Sequence, residues 1–235
     1  MNIPILFEDN FVLVINKPSG VVVNRAETVK EETVQDWSET KLGLESGESG
    51  SEFYKRAGIV HRLDKDTSGI LLIAKNPEAF EILQKQFAER IIKKTYQTLV
   101  TGRLPSRDGE IRLPVGRIPH GHGTFGIIPY GKESVTKYIV LTIYDSPYGI
   151  YSLLEVYPET GRTHQIRVHL KHLGSPVVGD ILYGGRAMLK AAEQFCPRLF
   201  LHAFRITFLH PEMGKEMTIE CPLPEELEKV LKRLS

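Results

Sequence analysis

The sequence predicts an α+β fold, a mixed and mostly antiparallel β-sheet with flanking helices. Three observations carry that prediction. Segments of strand character outnumber those of helical period, strict β-α-β alternation is absent, and the composition is that of an ordinary globular domain. The 235 residues are 41% hydrophobic, 25% charged and 9% aromatic, which excludes disordered, fibrous and collagenous chains. A single domain over 1–235, built as two packed lobes, suits a chain of this size.

Taken in order, Pro4–Glu8 and Phe11–Asn16 read as short strands that break at Lys17-Pro18-Ser19-Gly20, where Pro and Gly dictate a turn. Val21–Val23 then resumes extended structure. Thr33–Leu42 predicts a short helix; Gly43–Glu52, rich in Gly, Ser and Glu without apolar period, predicts a mobile surface loop. From Ile59 come a strand, a polar turn and the very apolar strand Ile70–Ala74. Asn76-Pro77 starts a helix as N-cap and first residue, with Phe80, Leu83 and Phe87 spaced to bury one face. Lys85, Arg90, Lys93 and Lys94 make the end of that helix and the following strand locally basic. Later strands are Thr95–Val100, Val135–Tyr144, Ile150–Tyr157, Phe204–Phe208 and Met217–Glu220. Helices are expected at Thr163–Leu173, closed by Gly174, at Ala187–Phe195 and at Pro224–Leu234. Trp37 and the Phe80/Phe87 stripe read as core.

Lys plus Arg is 30 and Asp plus Glu is 29, a net charge of +1, which excludes a chain that coats polyanions by bulk charge and leaves room for local basic patches. No apolar run approaches the roughly 18–20 residues that span a bilayer. Met1–Asn10 carries Glu8 and Asp9 and lacks the basic-then-apolar pattern of a signal peptide. Cys196 and Cys221 make no disulfide framework. A reduced, cytoplasmic protein without a membrane partner is the expectation.

Two polar clusters stand out. His61-Arg62-Leu63-Asp64-Lys65-Asp66-Thr67-Ser68-Gly69 lies between apolar strands. It reads either as a solvated turn whose side chains cap backbone groups, or as a carboxylate, Asp64, held beside Arg62 at the rim of a sheet. Gly161-Arg162-Thr163-His164-Gln165-Ile166-Arg167-Val168-His169-Leu170 reads as a helix with Thr163 as N-cap, its basic residues facing either water or a ligand. Metal binding fits poorly: His164 and His169 are five apart and splay, and His169 and His172 lack a nearby acidic or Cys ligand. His120-Gly121-His122 reads as a flexible loop. Gly179-Asp180 and Tyr183-Gly184-Gly185 suggest a tight turn without a nucleotide fingerprint, and Ser19 and Ser68 lack a G-x-S-x-G context. No cofactor and no metal are expected.

The first cluster resembles the H-R-L-D-x-x-T-S-G signature of the RluA family of pseudouridine synthases. Further matches follow in order: Asn16-Lys17-Pro18-Ser19-Gly20, Lys94-Thr95-Tyr96, Gly161 to His169, Gly179-Asp180, Leu201-His202-Ala203 and His210-Pro211. Together they run through nearly the whole chain. The sequence departs from the family at Asn24, where relatives often carry His, and its first motif begins so close to Met1 that no N-terminal S4-type RNA-binding module is expected.

The resemblance implies a pseudouridine synthase fold with a central cleft. It also implies an isomerase that detaches uracil of an RNA uridine from C1′, turns it and rejoins it through C5, with no cofactor. It assigns Asp64 as the essential carboxylate and Arg167 as the motif arginine, here expected to be its counter-charge; Tyr96 would stack on the target base. Arg62 would either fill the space the base vacates or hold the flipped backbone, and Lys94, Arg162, His164 and Gln165 would line the RNA-facing cleft. The implied partner is structured RNA, a ribosomal or transfer RNA stem-loop, acted on by a monomer. The alternative is a non-catalytic RNA-binding assembly factor of the same fold.

Overall fold

A computed structural model describes residues 1–44, 50–119 and 123–235. In chain order the described elements are β1 (Ile5–Glu8), β2 (Val12–Lys17), α1 (Val34–Leu42), α2 (Glu52–Lys55), β3 (Ser68–Ala74), α3 (Pro77–Ala88), β4 (Lys93–Thr101), β5 (Asp108–Arg112), β6 (Val115–Arg117) and β7 (Phe125–Ile127). Then come β8 (Val135–Ser146), β9 (Gly149–Pro158), α4 (Gln165–His172), α5 (Arg186–Ala192), β10 (Leu201–Leu209), β11 (Glu216–Glu220) and α6 (Glu225–Leu234). The chain divides into two compact units, one of Met1–Lys93 with Ala203–Cys221, the other of Lys94–His202 with Pro222–Ser235.

The first unit is built on the antiparallel pair β2–β3, flanked by β1 beside β2 and by β10 beside β3, with β11 on β10. Val12-Leu13-Val14-Ile15 and Ile70-Leu71-Leu72-Ile73 are continuous apolar runs, and both are buried on either face of the sheet. α3 covers one face with Phe80 and Leu83, and its N-terminus is capped as expected, Asn76 accepting from the Ala79 N–H at 2.9 Å. Gln86, polar but buried, exchanges hydrogen bonds with both backbone groups of Leu209 at 2.7 and 2.9 Å. α1 carries a full capping box between Thr33 and Asp36.

In the second unit the antiparallel order β4-β9-β8-β5 forms a sheet between two helical layers. Leu99, Tyr151 and Leu153 pack against Phe195 and Phe200 and against Leu227, Val230 and Leu234 of α6. The opposite face, Val100, Tyr138, Leu154 and Val156, packs against Ile166 and Leu170 of α4. Sheet alternation thus feeds two cores and fixes α4 to one face. β6 and β7 form a small hairpin of their own.

Both units are α+β with antiparallel sheets, as the sequence predicts, but several local expectations change. Val21–Val23 is not a strand: the carbonyls of Val22 and Val23 accept from the first-turn N–H groups of α1, at 3.0 and 2.9 Å. Ile59 makes a single bridge to Ile73. α4 begins at Gln165 instead of Thr163, because His164 takes a left-handed backbone with φ 57° and no side chain caps the helix. β5, β6, β7 and α2 were not expected; they are short, and β5–β7 carry glycines that hide any period. Trp37 and Phe87 are only partly buried, whereas Lys17 is fully buried. Of the expected loop 43–52, Gly43 is the left-handed C-cap of α1 and Ser51–Glu52 open α2; residues 45–49 lie outside the described residues, as do His120 and His122. Among the described residues no helix is long and apolar enough to cross a membrane.

Candidate active site

In the first unit the segment around Asp64 is held by its backbone. Lys17, at the end of β2, is 0% exposed, and its ammonium donates to three carbonyls: Pro18 and Val21 at 2.8 Å each and Lys65 at 3.0 Å. Three carbonyl dipoles converging on one ammonium replace the water that a buried charge has lost. The Gly20 N–H also donates to the Lys65 carbonyl at 2.9 Å, and the Ser19 hydroxyl to that of Asp66 at 2.7 Å. The Asn16-Lys17-Pro18-Ser19-Gly20 turn therefore holds both residues that follow Asp64.

Inside the segment, the Thr67 N–H closes a turn on the Asp64 carbonyl at 3.2 Å. Leu63, Thr67 and Ser68 are buried, Asp64 is half-buried, and Arg62 and Lys65 are exposed. At the other end Gly69 pairs with Lys17 at φ 108°, and a Cβ there would lie 2.4 Å from the Ala203 carbonyl oxygen, so only glycine fits. His61 accepts from the Leu72 N–H through Nε2 at 2.9 Å and lies against Phe87, ring centres 4.7 Å apart. Its role is to close the root of the segment. Asn24 lies 3.5 Å from Gln35 Oε1, the oxygen that also accepts from the Arg25 N–H.

In the second unit the anchoring is between side chains. Arg167 on α4 is buried, and its Nε and Nη2 donate to the two carboxylate oxygens of Asp180 at 2.8 Å each. This is the bidentate geometry that a guanidinium and a carboxylate favour. Asp180 Oδ1 also accepts from the N–H groups of Leu182 and Tyr183, at 3.0 and 3.1 Å, so one carboxylate shapes the 180–184 loop and orients the arginine. The Tyr183 ring lies 5.0 Å from the Arg167 guanidinium. Its hydroxyl accepts from the Phe125 N–H at 3.0 Å and meets His164 Nδ1 at 2.8 Å. Gly179, φ 74°, lets the chain pass where a Cβ would lie 2.2 Å from the Arg198 carbonyl oxygen.

Gln165 is buried and its amide is saturated. Its oxygen accepts from the Thr160 hydroxyl at 2.6 Å and the Arg162 N–H at 3.1 Å; its nitrogen donates to the Val135 carbonyl and the Thr136 hydroxyl at 2.9 Å each. Gln165 thus braces the loop that carries Arg162, whose side chain is exposed. His169 is buried between the Thr136 hydroxyl and the Leu113 carbonyl, and burial pushes its pKa down. Tyr96 lies on β4 opposite Val156, partly buried against the α4-side core. Lys94 lies close to the same arginine-bearing loop, since a Cβ on Gly161 would be 3.8 Å from its Nζ. Burial pulls its ammonium down to about 8.

Of the residues named from sequence, Arg62 and Asp64 fall in the first unit; Lys94, Tyr96, Arg162, His164, Gln165 and Arg167 fall in the second. Within the second unit the structure groups Lys94 with the 161–162 loop, Gln165 with the backbone of Arg162, and His164 and Arg167 with Tyr183. From the sequence Arg167 is expected to face Asp64, while Asp180, Lys17 and Tyr183 enter only as turn residues, the first two also as family-motif matches; none is expected to hold a site residue. Their signals were present: a lysine ending the apolar run Val12–Ile15, and the turn residues Gly179-Asp180 and Tyr183-Gly184.

The sequence model for RNA pseudouridylate synthase matches residues 11–172. A ribosomal large subunit pseudouridine synthase D of Neisseria meningitidis is 38% identical over 239 residues, covering 98% of this chain and 61% of that protein. An uncharacterized RNA pseudouridine synthase of Bacillus subtilis, YlyB, is 38% identical over 234 residues, covering 100% of this chain and 73% of its own length. Among solved structures, human RNA pseudouridylate synthase domain containing 1 superposes with a TM-score of 0.72 at 30% identity, over 95% of this chain and 84% of that one. Its human counterpart, domain containing 4, shares the fold with a TM-score of 0.74 at 23% identity, over 98% and 92% of the two chains. The chain spans 61% to 65% of the length of three of the curated relatives that it matches.

Proposed function

The chain belongs to the RNA pseudouridylate synthase family, and on that premise we propose that it isomerises specific uridines of RNA to pseudouridine, with ribosomal RNA as its first substrate class. The N1–C1′ bond breaks, the uracil turns, a C5–C1′ bond forms, and the proton lost from C5 is balanced by one gained at N1. Reactant and product are isomers, so the reaction needs no electron donor and no group carrier.

In this reading Asp64 is the ionised carboxylate that acts on the detaching nucleotide. Tyr96 stacks on the target uracil; an aromatic face contributes about 1–3 kcal/mol per base. Arg167 supplies a fixed positive charge. Extruding the uridine from paired RNA costs a few kcal/mol, and Arg62, exposed two residues before Asp64, fills the vacated space or holds the flipped backbone. Arg162, His164 and Lys94 belong to the RNA-facing surface, with Gln165 bracing it from behind.

The observation that carries the reading is the build of the Asp64 turn. Three hydrogen bonds to the carbonyls of Lys65 and Asp66 restrain the backbone just past an aspartate whose own side chain remains half-buried. Such restraint is what a reacting group requires and a solvated turn does not. The chain acts as a monomer in the cytoplasm in this proposal; light scattering at 26.6 kDa checks the first point. Release of tritium from 5-tritiated uridine in a large-subunit ribosomal RNA transcript tests the activity. Asp64→Asn is expected to abolish release while holding RNA affinity within about threefold. Turnover by that variant would overturn the assignment, and release only from a transfer RNA transcript would move the substrate class.

A further inference from the structure

The loop that orients Arg167 also exposes two large apolar side chains. Ile181 is 70% and Leu182 47% exposed, although the backbone that carries them is hydrogen-bonded on both sides. Asp180 accepts from the N–H groups of Leu182 and Tyr183, the Gly184 N–H donates to the Asp180 carbonyl at 2.8 Å, and the Tyr183 ring is buried. An isolated exposed isoleucine or leucine is ordinary. Two adjacent ones on a fixed tip form a ready-made contact, because no loop entropy is lost when a partner arrives.

The surrounding charge selects the partner. Lys171 lies with its ammonium 5.5 Å from the Tyr183 ring, and Arg186 and Lys190 follow one turn apart on α5; all three are exposed. An apolar tip with one cation at the neighbouring Tyr183 ring and two more on the helix that follows it matches a polyanion with apolar faces between its charges, which describes RNA with a base or base step presented.

We propose that Ile181 and Leu182 form an apolar RNA contact, seated on an exposed base or base step of the substrate while Lys171, Arg186 and Lys190 meet the flanking phosphates. This rests on the functional reading above and adds to it a second binding element, tied through Asp180 to Arg167.

The test uses the full chain and a large-subunit ribosomal RNA transcript carrying 5-tritiated uridine. The double substitution Ile181→Ser with Leu182→Ser is expected to raise Kd about tenfold, with kcat at saturating RNA falling less than about twofold. The slope of log Kd against log salt should not change, since no phosphate contact is lost; Arg186→Ala should lower that slope by about one. A photo-crosslinking phenylalanine in place of Ile181 should attach to the RNA, a readout that does not require the serine variant to be stable. Unchanged Kd in a folded double variant would overturn the proposal, as would crosslinks to protein alone. So would a fall in kcat at unchanged Kd, which would mean that the loop acts only on Arg167. A wild-type chain that binds this RNA yet releases no tritium, with the position-181 variant still crosslinking to the RNA, would overturn the functional reading while supporting the RNA contact.

Discussion

The Asp64 turn and the Arg167 helix solve the same problem in opposite ways. The backbone after Asp64 is held by hydrogen bonds to its carbonyls, donated by the Lys17 ammonium, the Ser19 hydroxyl and the Gly20 N–H, and the Asp64 side chain stays half-buried. Arg167 is placed by its own side chain, gripped at Nε and Nη2 by Asp180 and faced by Tyr183, with the pair almost wholly out of water at 3% and 0% exposure. A carboxylate that is to meet a substrate, the role proposed for Asp64, gains from a backbone restrained on its C-terminal side. A long guanidinium has many rotamers to lose, and a buried partner removes them. One region should therefore respond to substitution gradually and the other sharply.

The sharpest break is expected at Asp180. Asp180→Ala leaves a buried guanidinium without its carboxylate, at a cost of about 3–5 kcal/mol in urea denaturation. Adding Arg167→Met should restore much of that stability without restoring tritium release. If Asp180→Ala alone is neutral, the pair is not what holds the helix side of the comparison.

A smaller effect belongs to Lys17. Lys17→Met removes a donor from three carbonyls, and the expected cost is about 2–3 kcal/mol, since the lost charge had itself been costly to bury. The expected signature is a fall in kcat with RNA affinity nearly kept, because Asp64 loses its aim and not its exposure. Equal losses in both would argue that Lys17 serves general stability alone.

The mildest test is pH. Lys94 titrates near 8 in the folded chain against 10.5 ordinarily, because burial disfavours its charged form. Its positive charge is therefore present below about pH 8 and lost as pH rises through that value. RNA affinity should weaken across that range in the wild type and stay flat in Lys94→Met. The stability consequence has the opposite direction: between about 8 and 10.5 unfolding takes up a proton at Lys94, so this residue makes the fold relatively more stable as pH rises. A pH-independent affinity in the wild type would remove Lys94 from the binding surface.

Elements whose signals are local were legible from the chain alone. α3 has an N-cap, a proline at its first position and an apolar stripe, and α6 repeats Leu227, Val230 and Leu234 on one face; both form close to where they are expected. β2 and β3 are apolar throughout and become the buried pair. The start of α4 was misplaced because His164 adopts a left-handed backbone, which neither its own residue type nor Thr163 announces. The segments β5 to β7 are too short and too rich in glycine for period to register.

The candidate site residues divide along the same line. From the chain alone, composition and period were enough for the fold class, and the resemblance of its ordered motifs was enough for the family and for Asp64, Tyr96 and Arg167 as candidates. Folding in three dimensions was needed to show that Asp180 holds Arg167, that Lys17 closes on the carbonyl after Asp64, and that Gln165 is a brace. Those relations join residues 13, 48 and 30 positions apart. Hydrogen bonds and ion pairs act over a few ångströms of space, and at such separations along a chain only the packing of strands and helices determines which groups come within reach.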